Sequence, residues 1–335
     1  MKTDILFTDD SIVFGILLIA LGFVFYTESL KKGFWEKFYK IVPGLFMAYL
    51  IPAVLTSFGI IAPEWETVNS SGDLIIQKSN LYYVASRYLL PAALVLMTLS
   101  IDLKAVFGLG WKALAMFFTG TIGIIIGGPI AILLISIISP ETVGGIGPDA
   151  VWRGLSTLAG SWIGGGANQT AMLEIYGYNQ QLYGGMVFVD IVVANIWMSI
   201  ILIGIGKSDI INRWLNADNS SIESLKEKVS SFSKKVKRNP TLTDIIIIMA
   251  IAFGTVSFAH FCSGFLGPSF KNYISTIDSA STRNIFTFLE SKFFWLISIS
   301  TIIAILLSFT KAKNYEGAGA SKFGSVFIYI LVATI

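Results

Sequence analysis

The sequence predicts an all-α polytopic membrane protein, and three observations carry that prediction. Of its 335 residues 54% are hydrophobic and only 13% charged, where an ordinary soluble domain is about 25% charged. The mean hydropathy is +0.72. Apolar runs of about 20 residues recur along the chain, each long enough to cross a ~30 Å hydrocarbon layer as a helix. A soluble fold would need more polar surface than this chain supplies. The net charge of +3 gives no footing for nucleic acid, and the single cysteine, Cys262, and single histidine, His260, leave no internal disulfide or multi-histidine metal centre.

The first span covers 12–26, with Asp10 or Ser11 able to cap its start. Asp4, Asp9 and Asp10 precede it where a secretory leader would be basic, so this helix is expected to be retained. Lys31, Lys32, Lys37 and Lys40 then form an interfacial loop with Phe34, Trp35, Phe38 and Tyr39, completing a first region, 1–40. The second span, 41–62, contains Pro43 and Pro52, and a polar loop, 63–80, follows. The third, 81–101, carries Pro91 and Arg87, whose long side chain is expected to snorkel to the interface. Asp102 and Lys104 close it, and Asp102 marks a helix end.

The fourth span, 113–138, contains Gly120, Gly123, Gly127 and Gly128, and a Gly/Pro-rich loop covers 140–149. Segment five covers 151–172, and span six, 183–205, holds Asp190 and Asn195. Spans two to six make a region of 41–206. A basic linker, 207–241, includes Lys234-Lys235-Val236-Lys237-Arg238, and 242–335 forms the last region. In it 242–262 is a span, 263–291 an amphipathic connection, 292–309 a span, and 323–335 the beginning of another. Thirteen residues rise only ~20 Å as a helix, so the natural chain is expected to continue past Ile335.

If all six early segments cross, the loops alternate sides. The set with Lys31 to Lys40, Lys104 and Lys112 then carries six basic residues against ten, eight of the ten in the linker. The positive-inside rule favours short loops, and the two readings nearly cancel.

Segment five carries the chemistry. It reads Gly160-Ser161-Trp162-Ile163-Gly164-Gly165-Gly166-Ala167-Asn168-Gln169-Thr170. Each interior glycine costs a helix about 1 kcal/mol relative to alanine, so three in succession favour unwinding by ~3 kcal/mol. Unwound backbone at membrane depth is tolerated only where it is buried in protein or lines a wet cavity. Gly164, Gly165 and Gly166, with the polar side chains of Asn168, Gln169 and Thr170, are therefore candidate binding residues. Broken helices at the bilayer midplane hold substrates and coupling ions in many secondary transporters, amino ends toward anions and freed carbonyls toward cations. The alternative is tight helix packing through small residues. Gly123 and Gly127 offer a smooth face for the broken segment to approach.

Asp190 lies within the apolar stretch Val187-Phe188-Val189 to Ile191-Val192-Val193. A carboxylate at that depth costs ~2.5–3.5 kcal/mol on insertion scales and belongs in the bundle interior. It fits a proton or sodium site, or a structural bond to the broken segment. Asn195 stands five residues further on, loosely on the same side. No Gly-x-Ser-x-Gly, His-Glu-x-x-His or Walker lysine loop occurs, so an enzyme is not expected.

Three stretches resemble the YjcL-like membrane family known as domain of unknown function 819. Tyr88-Leu89-Leu90-Pro91 through Asp102-Leu103-Lys104 is similar to its "LVP…DLR" helix, Ser161 to Asn168 to its "YIGGSLN" signature, and Tyr315-Glu316-Gly317-Ala318-Gly319 to its "EGAGDLLG" lead-in to a later helix. One departure is Asp190-Ile191, where the family often has Asp-Asn. The resemblance implies membership of the cation/proton antiporter and anion transporter superfamily. It further implies two inverted five-helix repeats whose fourth helices are broken and cross at the centre, with segment five as the first and the second beyond Ile335. The expected function is secondary transport of a small, anionic solute by alternating access, coupled to Na⁺ or H⁺, in a multi-pass protein of the cell membrane. A non-transporting membrane scaffold or assembly factor is the alternative. No cofactor is expected beyond a coupling Na⁺. The partners expected are the solute, the lipid bilayer and a second copy in a homodimer.

Overall fold

The computed structural model describes residues 5–30, 32–39, 42–68, 73–99, 101, 111–205, 210, 213–214, 236–279, 282–283 and 286–334. Asp102, Lys104, Lys31, Lys40 and most of the basic linker lie outside the described residues. The chain divides into two compact units, Met1–Pro91 with Ser325–Ile335, and Ala92–Gly324.

In the first unit, α1 (Asp10–Ser29) packs on α3 (Gly44–Ser57), and α2 (Gly33–Tyr39) lies between them in sequence. Every fourth residue of one face of α1, Val13, Leu17 and Leu21, is buried with Ala48 and Ile61 and with Val332 and Ala333 of the carboxyl-terminal segment. This is the helical repeat expected of a buried apolar stripe. The cap is Asp9, not Asp10 or Ser11. Its Oδ1 accepts the N–H groups of Ser11 (2.9 Å) and Ile12 (3.1 Å). Asp10 is thereby free to accept from the Ser79 hydroxyl (2.6 Å) and the Asn80 N–H (3.1 Å).

The polar loop expected over 63–80 is a β-hairpin, β1 (Glu64–Val68) antiparallel to β2 (Leu74–Lys78). Val68, Thr67, Ile75 and Ile76 supply the branched side chains that favour strands, a short-range signal that the hydropathy of the region masks. Lys78 pairs with Glu64 across its open end at 3.0 Å.

The helix α4 (Leu81–Leu99) contains one π turn at Ala85–Leu89, just ahead of Pro91. Proline has no N–H to give and crowds the preceding turn, and the wider turn accommodates it. Arg87 reaches the Ser86 hydroxyl (3.1 Å) and lies 5.9 Å from the Tyr83 ring centroid.

The second unit holds α5 (Trp111–Ile138), the one-turn α6 (Pro140–Val143), α7 (Val151–Gly164), α8 (Gly166–Tyr176), α9 (Gln180–Ile205), α10 (Leu242–Ser275) and α11 (Lys292–Ser308). A 3-10 helix (Lys311–Ala318) leads into α12 (Ala320–Thr334). Gly319 turns at φ 91°, and Glu316 caps the new helix by accepting from Ser321 N–H (3.0 Å) and Oγ (2.6 Å).

The amphipathic connection expected from 263 onward is helical as far as Ser275, because α10 continues through Pro268 for 34 residues. It begins at a capping box between Thr241 and Asp244. Gly267 lies against Lys292, and the Phe270 ring stacks on Trp295 at 4.9 Å. At the other end of the pair, Arg238 donates to Asp244 Oδ1 (2.7 Å) and the Asn314 carbonyl (3.2 Å), so α10 and α11 run antiparallel. The Asp244 carboxylate raises the Arg238 guanidinium above its ordinary value.

Among the described residues five helices are long and apolar enough to cross a membrane, and up to seven if two bent pairs each count as one span. Among the described residues nothing lies against the smooth face expected at Gly123 and Gly127. No described atom lies within 4 Å of where a Cβ would stand at Gly120, Gly123, Gly127 or Gly128.

Candidate functional site

Segment five breaks at the glycine triplet, as its composition predicts, but it does not continue as a crossing rod. Gly165 adopts φ 84°, ψ −179°, a conformation open essentially to glycine alone. Its N–H donates to the Ser161 carbonyl (2.7 Å) and closes α7. Its carbonyl accepts from the N–H groups of Asn168 (3.0 Å) and Gln169 (3.1 Å) and opens α8. One residue thus finishes one helix and starts the next, and between them the chain reverses.

Side-chain contacts trace the reversal. A Cβ at Gly160 would stand 2.8 Å from the Asn168 carbonyl oxygen and 2.7 Å from Met172 Cγ, and the Asn168 side chain lies against Gly164. At the far end, the Trp152 and Tyr176 rings meet edge to face at 5.9 Å. The Arg153 guanidinium donates to the Tyr176 carbonyl and, at 3.3 Å, to the Ile146 carbonyl, lying 4.6 Å over Trp152. The pairs 164–168, 160–172 and 152–176 are those of an antiparallel helical hairpin. Gly160 lets the two backbones approach where any side chain would hold them apart, and Gly164 leaves room for the Asn168 side chain. The expected broken crossing helix is therefore corrected to a hairpin with both ends at one mouth.

The mouth is polar. Asn179 donates to Asp149 Oδ1 (2.7 Å), and its N–H to the Pro148 carbonyl (3.0 Å). Burial, aided by the charge of Asp149, raises the Tyr178 phenol above its ordinary value.

Asp190 meets the hairpin from α9. Its Oδ2 accepts from Ser161 Oγ (2.7 Å) and its Oδ1 from Trp162 Nε1 (2.6 Å). Gly154 of α7 lies against Met186 of α9, so these two helices run parallel. Asp190 lies ten residues past Gln180, and Ser161 ten past Val151, which puts both about 15 Å along their helices. Both hydrogen bonds are short. They bind the carboxylate to the turn that precedes the break.

The other candidates divide. Thr170 is fully buried and donates to the Gly166 carbonyl at 3.0 Å. Gln169 is 4% exposed, and its Nε2 has no hydrogen-bond partner among the described residues. Its helix α8 touches α11, where the fully buried Ser300 hydroxyl is likewise unpartnered. Gly164, Gly165 and Gly166 form the exposed tip. Asn195 is exposed, and its Nδ2 donates to the Ile191 carbonyl one turn back (2.8 Å).

Sequence reasoning missed Ser161 and Trp162 as partners of Asp190, Gly160 as the packing point and Arg153 as the clamp. The glycines four apart at 160 and 164 were the available signal. Among the described residues no group of three or more His, Cys, Asp or Glu is placed to hold a metal ion.

Several membrane-length apolar helices, with a polar helical hairpin packed among them, define this chain as a polytopic α-helical membrane protein. Within that class its family is clear. The model of the family described as "Protein of unknown function (DUF819)" matches residues 15–335, and the chain belongs to that family. No curated protein and no solved structure matches it.

Proposed function

We propose that this protein is a secondary transporter, a carrier and not an enzyme. It moves a small anionic solute by alternating access with Na⁺ or H⁺ as the coupling ion. The observation that carries the proposal is the polar interruption at Gly165 with a carboxylate, Asp190, bonded one turn away. In a membrane both features are costly, and both are commonly retained for ion and substrate pathways.

In this reading the amino end of α8 faces the anion, since the N–H groups of Gly166 and Ala167 stand at the positive end of the helix dipole. Gln169 adds a buried amide donor that is unpartnered among the described residues. Asp190 takes the coupling ion, and the Ser161 and Trp162 donors hold its carboxylate in place while the ion leaves. The inverted-repeat plan implied by the family resemblance belongs to this proposal, with the hairpin standing where a crossing helix was expected.

The test is uptake into proteoliposomes under an imposed Na⁺ or H⁺ gradient. Gly165→Leu should abolish uptake, and Asp190→Asn should uncouple it from the gradient. Undiminished gradient-driven uptake in both variants would defeat the assignment.

A further inference from the structure

We infer that the α7–α8 hairpin dips into the membrane from the extracytoplasmic face and returns to it. Its mouth at Asp149, Arg153 and Asn179 is then presented outside, and the basic linker lies in the cytoplasm. The inference stands without the transport proposal. It needs only the membrane class and the second unit.

Helix length gives the first step. The 14 residues of α7 and 11 of α8 rise about 21 Å and 16 Å, and neither spans a ~30 Å hydrocarbon core. The pairing of Arg153 with the Tyr176 carbonyl puts both ends of the hairpin together. The Asn179 bonds to Pro148 and Asp149 then join the segment before α7 to the segment before α9. Since α7 and α9 run parallel, the hairpin enters from the side where α9 begins.

Sidedness changes as a result. A crossing segment would put residues 139–150 on the same side as the linker, and a hairpin puts them on opposite sides. The connection ahead of α5, with Lys104, and the first turn of α5, with Lys112, now share a side with the linker and its eight Lys and Arg. Segment 206–241 has no apolar run long enough to cross, so α10 starts on that side too. The bonds from Arg238 to the carbonyls of Asn314 and Gly317 bring the residues after α11 back to it.

Of the seventeen Lys and Arg between 92 and 324, thirteen fall on the linker side and four on the side of the hairpin mouth. Residues 139–150 and 177–179 contain none. The positive-inside rule, which weighs Lys and Arg close to span ends, assigns the linker side to the cytoplasm. The near-balance of Lys and Arg between the two faces holds only for a crossing segment and disappears once the hairpin is re-entrant.

Single-cysteine labelling of the whole chain in intact cells tests this, in a Cys262→Ala background. Ile146 is 91% exposed, and Ile146→Cys and Gln181→Cys flank the hairpin. Ser230→Cys reports on the linker. A membrane-impermeant maleimide should label Ile146→Cys and Gln181→Cys in intact cells. Ser230→Cys should gain at least ten-fold in labelling only after permeabilisation. Three outcomes overturn the inference: Ile146→Cys and Gln181→Cys reporting from opposite sides, Ile146→Cys sharing a side with Ser230→Cys, or the two faces exchanged.

Discussion

Replacing Gly160 with alanine tests the hairpin at its tightest point. The new Cβ would stand 2.7 Å from Met172 Cγ and 2.8 Å from the Asn168 carbonyl oxygen, roughly 0.7 Å inside the separation at which such contacts become favourable. The Met172 side chain can swing aside. The Asn168 carbonyl is part of the α8 backbone, so α8 must move off α7 as a body. Overpacking of this kind costs about 1–3 kcal/mol. Three other glycines calibrate the result. At Gly165 nothing lies within 4 Å, and alanine there pays only for its backbone conformation, about 1–3 kcal/mol. At Gly154 the neighbour is the flexible end of Met186, and the cost should be smaller. At Gly166 there is open space inside a helix, so alanine should be neutral or stabilising by up to ~1 kcal/mol. Thermal unfolding in one detergent should rank Gly160→Ala and Gly165→Ala lowest, then Gly154→Ala, then wild type with Gly166→Ala. If Gly160→Ala melts with Gly166→Ala, α8 does not lie on α7 and the fold-back is wrong.

Two further perturbations address the mouth. Arg153→Ala removes the donors to the Tyr176 and Ile146 carbonyls. Amide hydrogen exchange over 146–153 and 173–178 should rise several-fold while 160–168 stays protected, and a uniform rise throughout would remove its role as a clamp. Arg153→Lys should restore only part of the protection, since a point-like ammonium lacks the planar fork and aromatic stacking of arginine. The second concerns pH. The Tyr178 phenol is raised in the folded state by burial and then by Asp149. The folded protein therefore holds this proton more tightly than the unfolded chain, and the associated stability is complete below the ordinary phenol value of about 10 and declines as pH rises past it. Melting temperatures should accordingly fall more steeply above pH ~10 in wild type than in Tyr178→Phe, and parallel alkaline profiles would refute the linkage.

Much of the architecture was legible in the chain. The spans at α1, α4, α5, α9, α10 and α11 follow from apolar runs near membrane length, a property that needs no knowledge of neighbours. The break at Gly165 was legible for the same reason, because glycine weakens a helix wherever it stands. The β-hairpin at 64–78 was not, since its alternation is short and set in polar residues. The extension of α10 to Ser275 was hidden by the polar residues from Ser263 and by Pro268, which tertiary packing against α11 overrides.

The site divides along the same line. Asp190 stands out because a carboxylate among valines is costly anywhere in a membrane, and no alignment of contacts is needed to see it. That its two oxygens are taken by Ser161 and Trp162, while Asn195 donates to the Ile191 carbonyl, depends on the lateral placement of α9 beside α7. By itself, then, the sequence determined the solvent of this protein, the rough positions of its spans and the point where one of them fails. Only the tertiary structure decided that the failing segment turns back on itself. Propensity acts on one residue at a time and can say that Gly165 will not stay helical. The direction the chain takes afterwards is set by the packing of Gly160 and Gly164 against Asn168 and by the Arg153 clamp, contacts between residues that only the fold brings together.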